Sequence, residues 1–188
     1  MRRRQGLEKG GQRVKLDKDK AFRFVIPGHP ATKKNSPVLV RGRAVVLPSK
    51  AYKAYEKVFR KELSRIEREQ GMLPHYSGPV QLTAKYYLQD RRAYPDLNGL
   101  IQATQDIISD EHAYVDHRKT LKRRWILEDD RLVKSLDGTR IAGIDKDNPR
   151  VEILIEPMEV DIEREPDPQL VKKAKEATQG NLFRQGEA

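Results

Sequence analysis

A long amphipathic segment, residues 50–70, constrains the fold of this chain more than any other feature. Its large apolar side chains recur three or four residues apart among charged neighbours; they are Tyr52, Tyr55, Phe59, Leu63 and Ile66. That spacing is the period of an α-helix with one buried face. The rest of the chain must therefore supply an apolar surface against which this helix packs.

Several other segments have strand character and are bounded by turn residues. The predicted strands are residues 22–26, a hairpin of 38–40 with 44–47, residues 80–88, 125–127 and 151–155. A second amphipathic helix is predicted from about residue 97 to 109, with an apolar side formed by Leu97, Leu100, Ile101, Thr104, Ile107 and Ile108. Strands mixed with two main helices predict an α+β fold, in which a mixed sheet packs against both helices.

The domain organisation follows from polarity along the chain. Residues 1–20 are polar and basic and are predicted to be a disordered arm. Residues 21–158 form the predicted folded domain, with a polar, basic insertion at 110–124 that we expect to be a loop or an extra helix. Residues 159–188 are a predicted polar tail, with a short helix from about residue 169 to 178.

Composition narrows the classes of function. The 188 residues carry a net charge of +10, which favours polyanionic partners such as nucleic acid over acidic small molecules. There is no cysteine, so disulfides and thiolate metal sites are excluded. The sequence contains no run of about 18 apolar residues and no signal-peptide pattern. We therefore expect a cytoplasmic protein without a membrane partner.

A first group of polar residues surrounds the start of the second helix. Asp96 follows a proline, and Asn98, Gln102 and Asp106 lie four residues apart, on the face opposite the apolar side. Two simpler interpretations stay open. Asp96 is well placed to cap the helix N-terminus, and the other three are typical of a solvated helix face.

A second acidic group, Glu128-Asp129-Asp130, interrupts an otherwise apolar stretch. Adjacent like charges destabilise one another unless a cation or a turn relieves them, and a turn between strands is the alternative interpretation. Taken with Asp96, the group predicts a site for Mg²⁺, which prefers carboxylate oxygens and needs few of them. Such a site, in a basic protein, indicates cleavage of a phosphodiester backbone.

Two short basic segments are candidate DNA-binding elements: Lys33-Lys34-Asn35-Ser36 after the first strand, and Arg91-Arg92 before the second helix. Each is also typical of a solvated loop. The four histidines are scattered and do not predict a zinc site. No Asp or Glu has a Lys two residues later, so the chain lacks the acid-x-lysine pair of PD-(D/E)xK nucleases.

Together these motifs resemble the RusA family of Holliday junction resolvases, common in phages and prophages. The likeness spans roughly residues 22 to 156 and includes Ile26-Pro27-Gly28, Lys33-Lys34-Asn35-Ser36, Leu47-Pro48-Ser49-Lys50-Ala51-Tyr52, Pro95-Asp96-Leu97-Asn98 and Asp129-Asp130-Arg131-Leu132-Val133. The resemblance implies a RusA-like fold, a homodimer, branched DNA as the substrate and Mg²⁺, or Mn²⁺ in its place, as the cofactor. The implied activity is symmetric nicking of four-way junctions in DNA recombination and repair.

The resemblance also assigns site residues. The family's three aspartates correspond to Asp96, Asn98 and Asp130, which become the candidate catalytic and metal-binding residues. Asn98 departs from the family pattern, because its amide oxygen carries no charge and binds a metal ion more weakly. Asp129 and Asp106 match positions that are commonly acidic in the family, and are further candidate ligands.

A second departure is Gln102, which stands where the family usually has a lysine. Candidate replacements for that lysine lie in the insertion, at Lys119, Lys122 and Arg123. Two other functions stay open at this point. One is a catalytically degenerate relative that binds DNA junctions without cutting them, and the other is a basic RNA-associated or scaffold protein.

Overall fold

The computed structural model describes residues 16–33, 35–40, 43–92, 94–159, 163 and 165–184, with backbone only at 35–40, 43–47 and 177–184. The strands are β1 (Phe22–Pro27), β2 (Asn35–Val40), β3 (Arg43–Pro48), β4 (Val80–Leu88), β5 (Glu111–Val115), β6 (Arg118–Arg123), β7 (Val133–Ser135), β8 (Arg140–Ile144) and β9 (Arg150–Pro157). The helices are α1 (Lys50–Gln70), α2 (Leu97–Ile108) and α3 (Pro168–Arg184).

A five-stranded mixed sheet forms the centre of the fold. β9 lies between β1 and β4 and is antiparallel to both, whereas β7 and β8 pair in parallel with the other edge of β4. β2 with β3 and β5 with β6 form separate two-stranded hairpins. The predicted α+β architecture, a mixed sheet with helices packed on it, is confirmed.

The core lies on one face of this sheet, because the strand registers place apolar residues side by side. Phe24 is opposite Ile153, which is opposite Ala84 on the far side of β9. The next such row joins Ile26, Val151 and Tyr86, and all three are fully buried. Every second residue of β4 is buried, from Val80 to Leu88.

Both main helices cover this face. α1 packs near β1 and buries the five side chains of its predicted stripe, Tyr52, Tyr55, Phe59, Leu63 and Ile66; each contributes roughly 1.5–3 kcal/mol. The helix begins after Ser49, whose hydroxyl accepts a hydrogen bond from Tyr52 N, and it ends at Gly71, where φ is 86°. α2 is tied to β4 by a hydrogen bond of 2.9 Å between the buried hydroxyls of Tyr86 and Thr104.

The prediction for residues 110–124 is wrong in one respect. This insertion is neither a plain loop nor a helix: it contains the hairpin of β5 and β6. The strands are joined by Asp116 and His117, whose φ angles are 48° and 61°. A two-residue turn with positive φ at both positions fits the twist of paired strands. Since neither residue is glycine, this turn carries little sequence signal.

The predicted strand at residues 125–127 is also corrected. This segment is buried, but its backbone bonds to the end of α2 and to Tyr76 rather than to a strand of the sheet. Ile126 N and Leu127 N both donate to Ile108 O, at 3.0 and 2.9 Å. The last carbonyls of a helix lack partners within the helix, so an adjoining extended segment satisfies them.

The described inner ends of the two terminal segments contact the folded domain. Residues 1–15 of the predicted arm lie outside the described residues, but Leu16 pairs with Met158 and Asp17 N donates to Pro157 O. In the predicted tail, the helix is longer than expected and buries Leu170. No helix in the described part of the chain has the length and apolarity needed to cross a membrane.

Candidate functional site

Asp96 is the N-cap of α2, as one of the sequence interpretations held. Its carboxylate Oδ2 accepts a hydrogen bond of 2.9 Å from Gly99 N, which satisfies one of the free amides at the helix start. A Cβ on Gly99 would lie 3.0 Å from the methyl carbon of Thr32, so glycine lets the loop after β1 approach closely. The Asp96 residue itself is exposed. Its carboxylate therefore caps the helix and stays accessible.

The other polar residues of α2 lie along its length. Asn98 and Gln102 are exposed, and the carboxylate of Asp106 forms an ion pair of 2.7 Å with Lys33 Nζ. At about 1.5 Å per helical residue, Asp96 and Asp106 are separated by roughly 15 Å along the axis. One metal ion cannot bind both carboxylates.

The acidic pair forms a short turn at the end of the apolar segment after the hairpin. Asp129 caps a 3₁₀ turn at Asp130–Leu132 and accepts hydrogen bonds from Arg131 N at 3.0 Å and from Arg131 Nε at 2.8 Å. Partial burial acts to raise the pKa of Asp129, but the hydrogen bonds from Arg131 outweigh it and leave this pKa lowered. Asp129 therefore stays ionised.

Asp130 has the opposite environment. Its pKa is raised by partial burial, by its hydrogen bond with Asp129, and by the negative charges of Asp129 and Asp106. The structure thus brings these three predicted carboxylates into one electrostatic neighbourhood, although Asp106 belongs to α2 and the other two to a distant segment. We call Asp106, Asp129 and Asp130 the acidic cluster. Among the described residues, ion pairs join it to Lys33, on Asp106, and to Arg131, on Asp129.

The donor chemistry of the acidic cluster suits Mg²⁺ or Mn²⁺. These ions prefer carboxylate oxygens, and Mg²⁺ typically uses one or two of them and keeps several waters. A carboxyl group whose pKa is raised by neighbouring acids is stabilised as an anion when a cation binds. Within the described residues, however, no three His, Cys, Asp or Glu side chains are already arranged around a common point. Asp130 and Asp129 are the side chains that would hold the ion.

The predicted DNA-binding residues lie in different surroundings, and some of them fall outside the described part of the chain. Lys33 lies beside the acidic cluster through its ion pair with Asp106. Lys34 falls outside the described residues, and Asn35 and Ser36 are described only as backbone at the start of β2. In the loop before α2, Arg91 and Arg92 are both exposed, and Arg92 pairs with Asp90 at 2.9 Å.

The insertion places only one of its three candidate cations near the cluster. Lys122 pairs with Glu111 at 2.6 Å. Arg123 pairs with Glu67 and stacks over Trp125 at 4.7 Å. Lys119, by contrast, lines a cavity of about 200 Å³ that Asp129 also lines. Of the three candidates, Lys119 is the one that the fold brings to the acidic pair.

Two groups that line this cavity were not predicted from the sequence to belong to the site. His112 lines it from β5, and α3 closes another side with Gln169, Leu170 and Lys173. Arg131 donates a hydrogen bond to the Gln169 side-chain oxygen at 2.8 Å, while Lys173 pairs with Glu128. Nothing in the pattern of residues 168–184 indicates that this helix docks beside the acidic cluster, because the contacts join segments about forty residues apart.

No family model matches the chain, and no curated protein matches it in sequence. The resemblance to the RusA resolvases therefore remains an expectation drawn from motifs.

Proposed function

We propose that the protein is a Mg²⁺-dependent endodeoxyribonuclease that is selective for branched DNA and resolves four-way junctions. The observation that carries this proposal is that Asp106 of α2 lies near enough to the Asp129–Asp130 turn for its charge to act on Asp130, in a protein of net charge +10. An adjacent pair of carboxylates on a basic protein suits a divalent cation that acts on a polyanionic substrate. The RusA-like motifs support the same activity.

In this proposal Asp130 and Asp129 would hold the cation, which would activate water and stabilise charge on the scissile phosphate. The protein's own residues bind and orient the substrate. Lys33 neutralises Asp106 in the free protein and is placed to contact a phosphate, and the exposed Arg91 and Arg92 extend positive charge toward the start of α2. Asp96 and Asn98 belong to the same exposed end of that helix.

A homodimer belongs to the proposal, because symmetric nicks in a four-way junction call for two sites related by a twofold axis. The proposed substrate is branched DNA, as the RusA resemblance implies. Sedimentation of the purified protein, with and without a four-way junction, measures whether it is a dimer. A monomer on the junction would contradict symmetric nicking.

The decisive assay incubates the protein with a labelled four-way junction and a matched linear duplex, with Mg²⁺ and with a chelator. We expect paired nicks in the junction only, and only with Mg²⁺. Asp130→Asn should abolish nicking, whereas Asp147→Asn, an exposed Asp in the loop before β9, serves as the matched control. Full activity in the Asp130 variant would refute the assigned role of the acidic cluster.

Asp96→Asn is a second test, and the structure makes it a clean one. Asparagine is as good an N-cap as aspartate, so the hydrogen bond to Gly99 and the start of α2 are retained. The RusA resemblance assigns Asp96 a catalytic role separate from the cation held by Asp130 and Asp129, so we expect the variant to bind the junction and fail to cut it. If it cuts at the wild-type rate, Asp96 acts only as a cap.

One observation favours a second candidate, a degenerate relative that binds junctions without cutting them. Lys33 and Arg131 already neutralise Asp106 and Asp129, and the described residues hold no preformed three-residue metal site. A pure binder would show salt-sensitive affinity for the junction with no Mg²⁺-dependent product. The same assay separates the two candidates.

A further inference from the structure

The β5–β6 hairpin stands out from the domain. All six residues of β6 are exposed, and Tyr114, at 76% exposure, is among the most exposed large side chains. Its base is held firmly: Arg60 pairs with Glu111 at 3.3 Å, and Asp110 accepts a hydrogen bond of 2.7 Å from Trp125 N. The hairpin is therefore a fixed projection with a free tip.

Strand pairing divides the hairpin into two faces of different surroundings. Directly opposed residues share a face, so His112 and Leu121, and Tyr114 and Lys119, lie together on what we call the Tyr114 face. This face looks toward the acidic cluster, because His112 and Lys119 line a cavity with Asp129.

The opposite face, which we call the Val115 face, contains the pairs Ala113 with Thr120 and Val115 with Arg118. A register shift separates Glu111 from these pairs, so its ion pair with Arg60 of α1 fixes the base of the hairpin and not the direction of this face. The Val115 face lies on the opposite side of the ribbon from the Tyr114 face, and therefore away from the cavity that Asp129 lines. Val115 and Arg118 are nonetheless exposed, as Tyr114 and Lys119 are.

The chemistry of the Tyr114 face fits nucleic acid. Lys119 makes no ion pair within the part of the chain that the structure describes, so its charge is available to a phosphate. The neighbouring Tyr114 offers an exposed aromatic ring, on which an unpaired base stacks. A two-stranded ribbon also has the width that the major groove of B-DNA admits.

Resting on the proposed function, we propose that the Tyr114 face is a DNA-contacting surface that holds the branch point of the substrate against the acidic cluster. Lys119 binds a backbone phosphate, and Tyr114 stacks on the face of a base that is left unstacked at the branch. The hairpin thereby favours branched over linear DNA, since the interior of a continuous duplex offers no unstacked base to the ring.

The test compares the two faces with matched variants. Tyr114→Ala and Lys119→Ala alter the Tyr114 face, and Val115→Ala and Arg118→Ala make similar changes on the Val115 face. Affinity for a labelled junction and a linear duplex is measured by fluorescence anisotropy with chelator, across a salt series. Emission of Trp125, the single tryptophan, monitors the hairpin base, where this side chain is 5% exposed.

We expect Tyr114→Ala to weaken junction binding roughly tenfold, the scale of one lost base stack, with little effect on the linear duplex. Lys119→Ala should reduce the slope of log affinity against log salt concentration by about one, because one phosphate contact is lost. Tyr114→Phe and Lys119→Arg should retain binding, and both Val115-face variants should stay close to the wild type. Equal losses from the two faces, or none from either, would overturn the proposal.

The outcomes also separate this inference from the proposed function. If the wild type nicks junctions and the Tyr114-face variants bind as it does, the hairpin inference fails and the nuclease stands. If no nicking occurs but binding depends on the Tyr114 face, the hairpin inference stands and the protein is the degenerate binder.

Discussion

The ion pair between Lys33 and Asp106 offers a sharp test of the acidic cluster. The two side chains are 34% and 25% exposed, and the Lys33 Nζ to Asp106 Oδ2 distance is 2.7 Å. Lys33→Met keeps most of the aliphatic stem and removes the charge. Asp106 then faces Asp130 without a neutralising partner.

The partial exposure of the two side chains determines how much folding stability Lys33→Met loses in the absence of metal and DNA. A pair that water still reaches contributes about 1 kcal/mol or less, so the variant should melt about 2–4 °C below the wild type. Unbalancing Asp106 also raises the pKa of Asp130 further, in the direction that Asp106 already drives it. A carboxyl group whose folded-state pKa is raised destabilises the fold once it ionises, so the deficit should be larger near neutral pH than in acid.

Although Lys33→Met should lower the stability of the protein, it should strengthen the binding of divalent cations. Lys33 competes with a metal ion for the charge of the cluster, and removing a competitor worth about 1 kcal/mol should tighten Mg²⁺ binding about fivefold. Isothermal titration calorimetry without DNA measures this directly. Lys146→Met, at an exposed lysine in the loop before β9, is the matched control. Unchanged or weaker Mg²⁺ binding in Lys33→Met would refute a cation site at the acidic cluster.

Three further predictions concern the scaffold, and urea unfolding followed by Trp125 emission measures each. Tyr86→Phe and Thr104→Val should each cost about 1–3 kcal/mol by leaving a buried hydroxyl unpaired, while the double variant should lose less than their sum; simple additivity would argue against the bond. Asp110→Ala should cost about 1–3 kcal/mol, because the amide of Trp125 and the ring of His75 both lose their partner; no loss would contradict a stabilising role for these contacts. Ser49→Ala should cost about 1 kcal/mol by removing the cap of α1, and a loss near zero would contradict that role.

Periodicity determined which elements could be predicted. α1 and β4 have the predicted bounds because each carries an uninterrupted pattern, of period 3.6 in one and period 2 in the other. β7 has three residues and β8 five, and both owe their conformation to pairing with β4. Strands of this kind are defined by tertiary contacts and leave no local signal.

The acidic cluster was predictable in its members and not in its geometry. Asp129 and Asp130 stand out as an acidic pair in an apolar stretch, and the RusA resemblance adds Asp106, but only the fold brings α2 beside the turn after the hairpin. The sequence predicts that Asp96 and Asp130 act together. In the structure the residue of α2 whose charge acts on Asp130 is Asp106, and Asp96 lies at the other end of that helix. The role of Lys33 as the partner of Asp106 joins residues more than seventy positions apart, and no local pattern encodes it.

The pairing of β1 with β9 also fixes when the domain is completed during synthesis. Of the strands that the structure describes, β1 leaves the ribosome first and β9 last, yet Phe22 lies opposite Ile155 and the two strands are neighbours. Until β9 emerges, β1 and β4 lack the strand that joins them, and their apolar faces have no continuous sheet beneath the helices. A nascent chain that stops before β9 is therefore a substrate for chaperones rather than a smaller version of the domain.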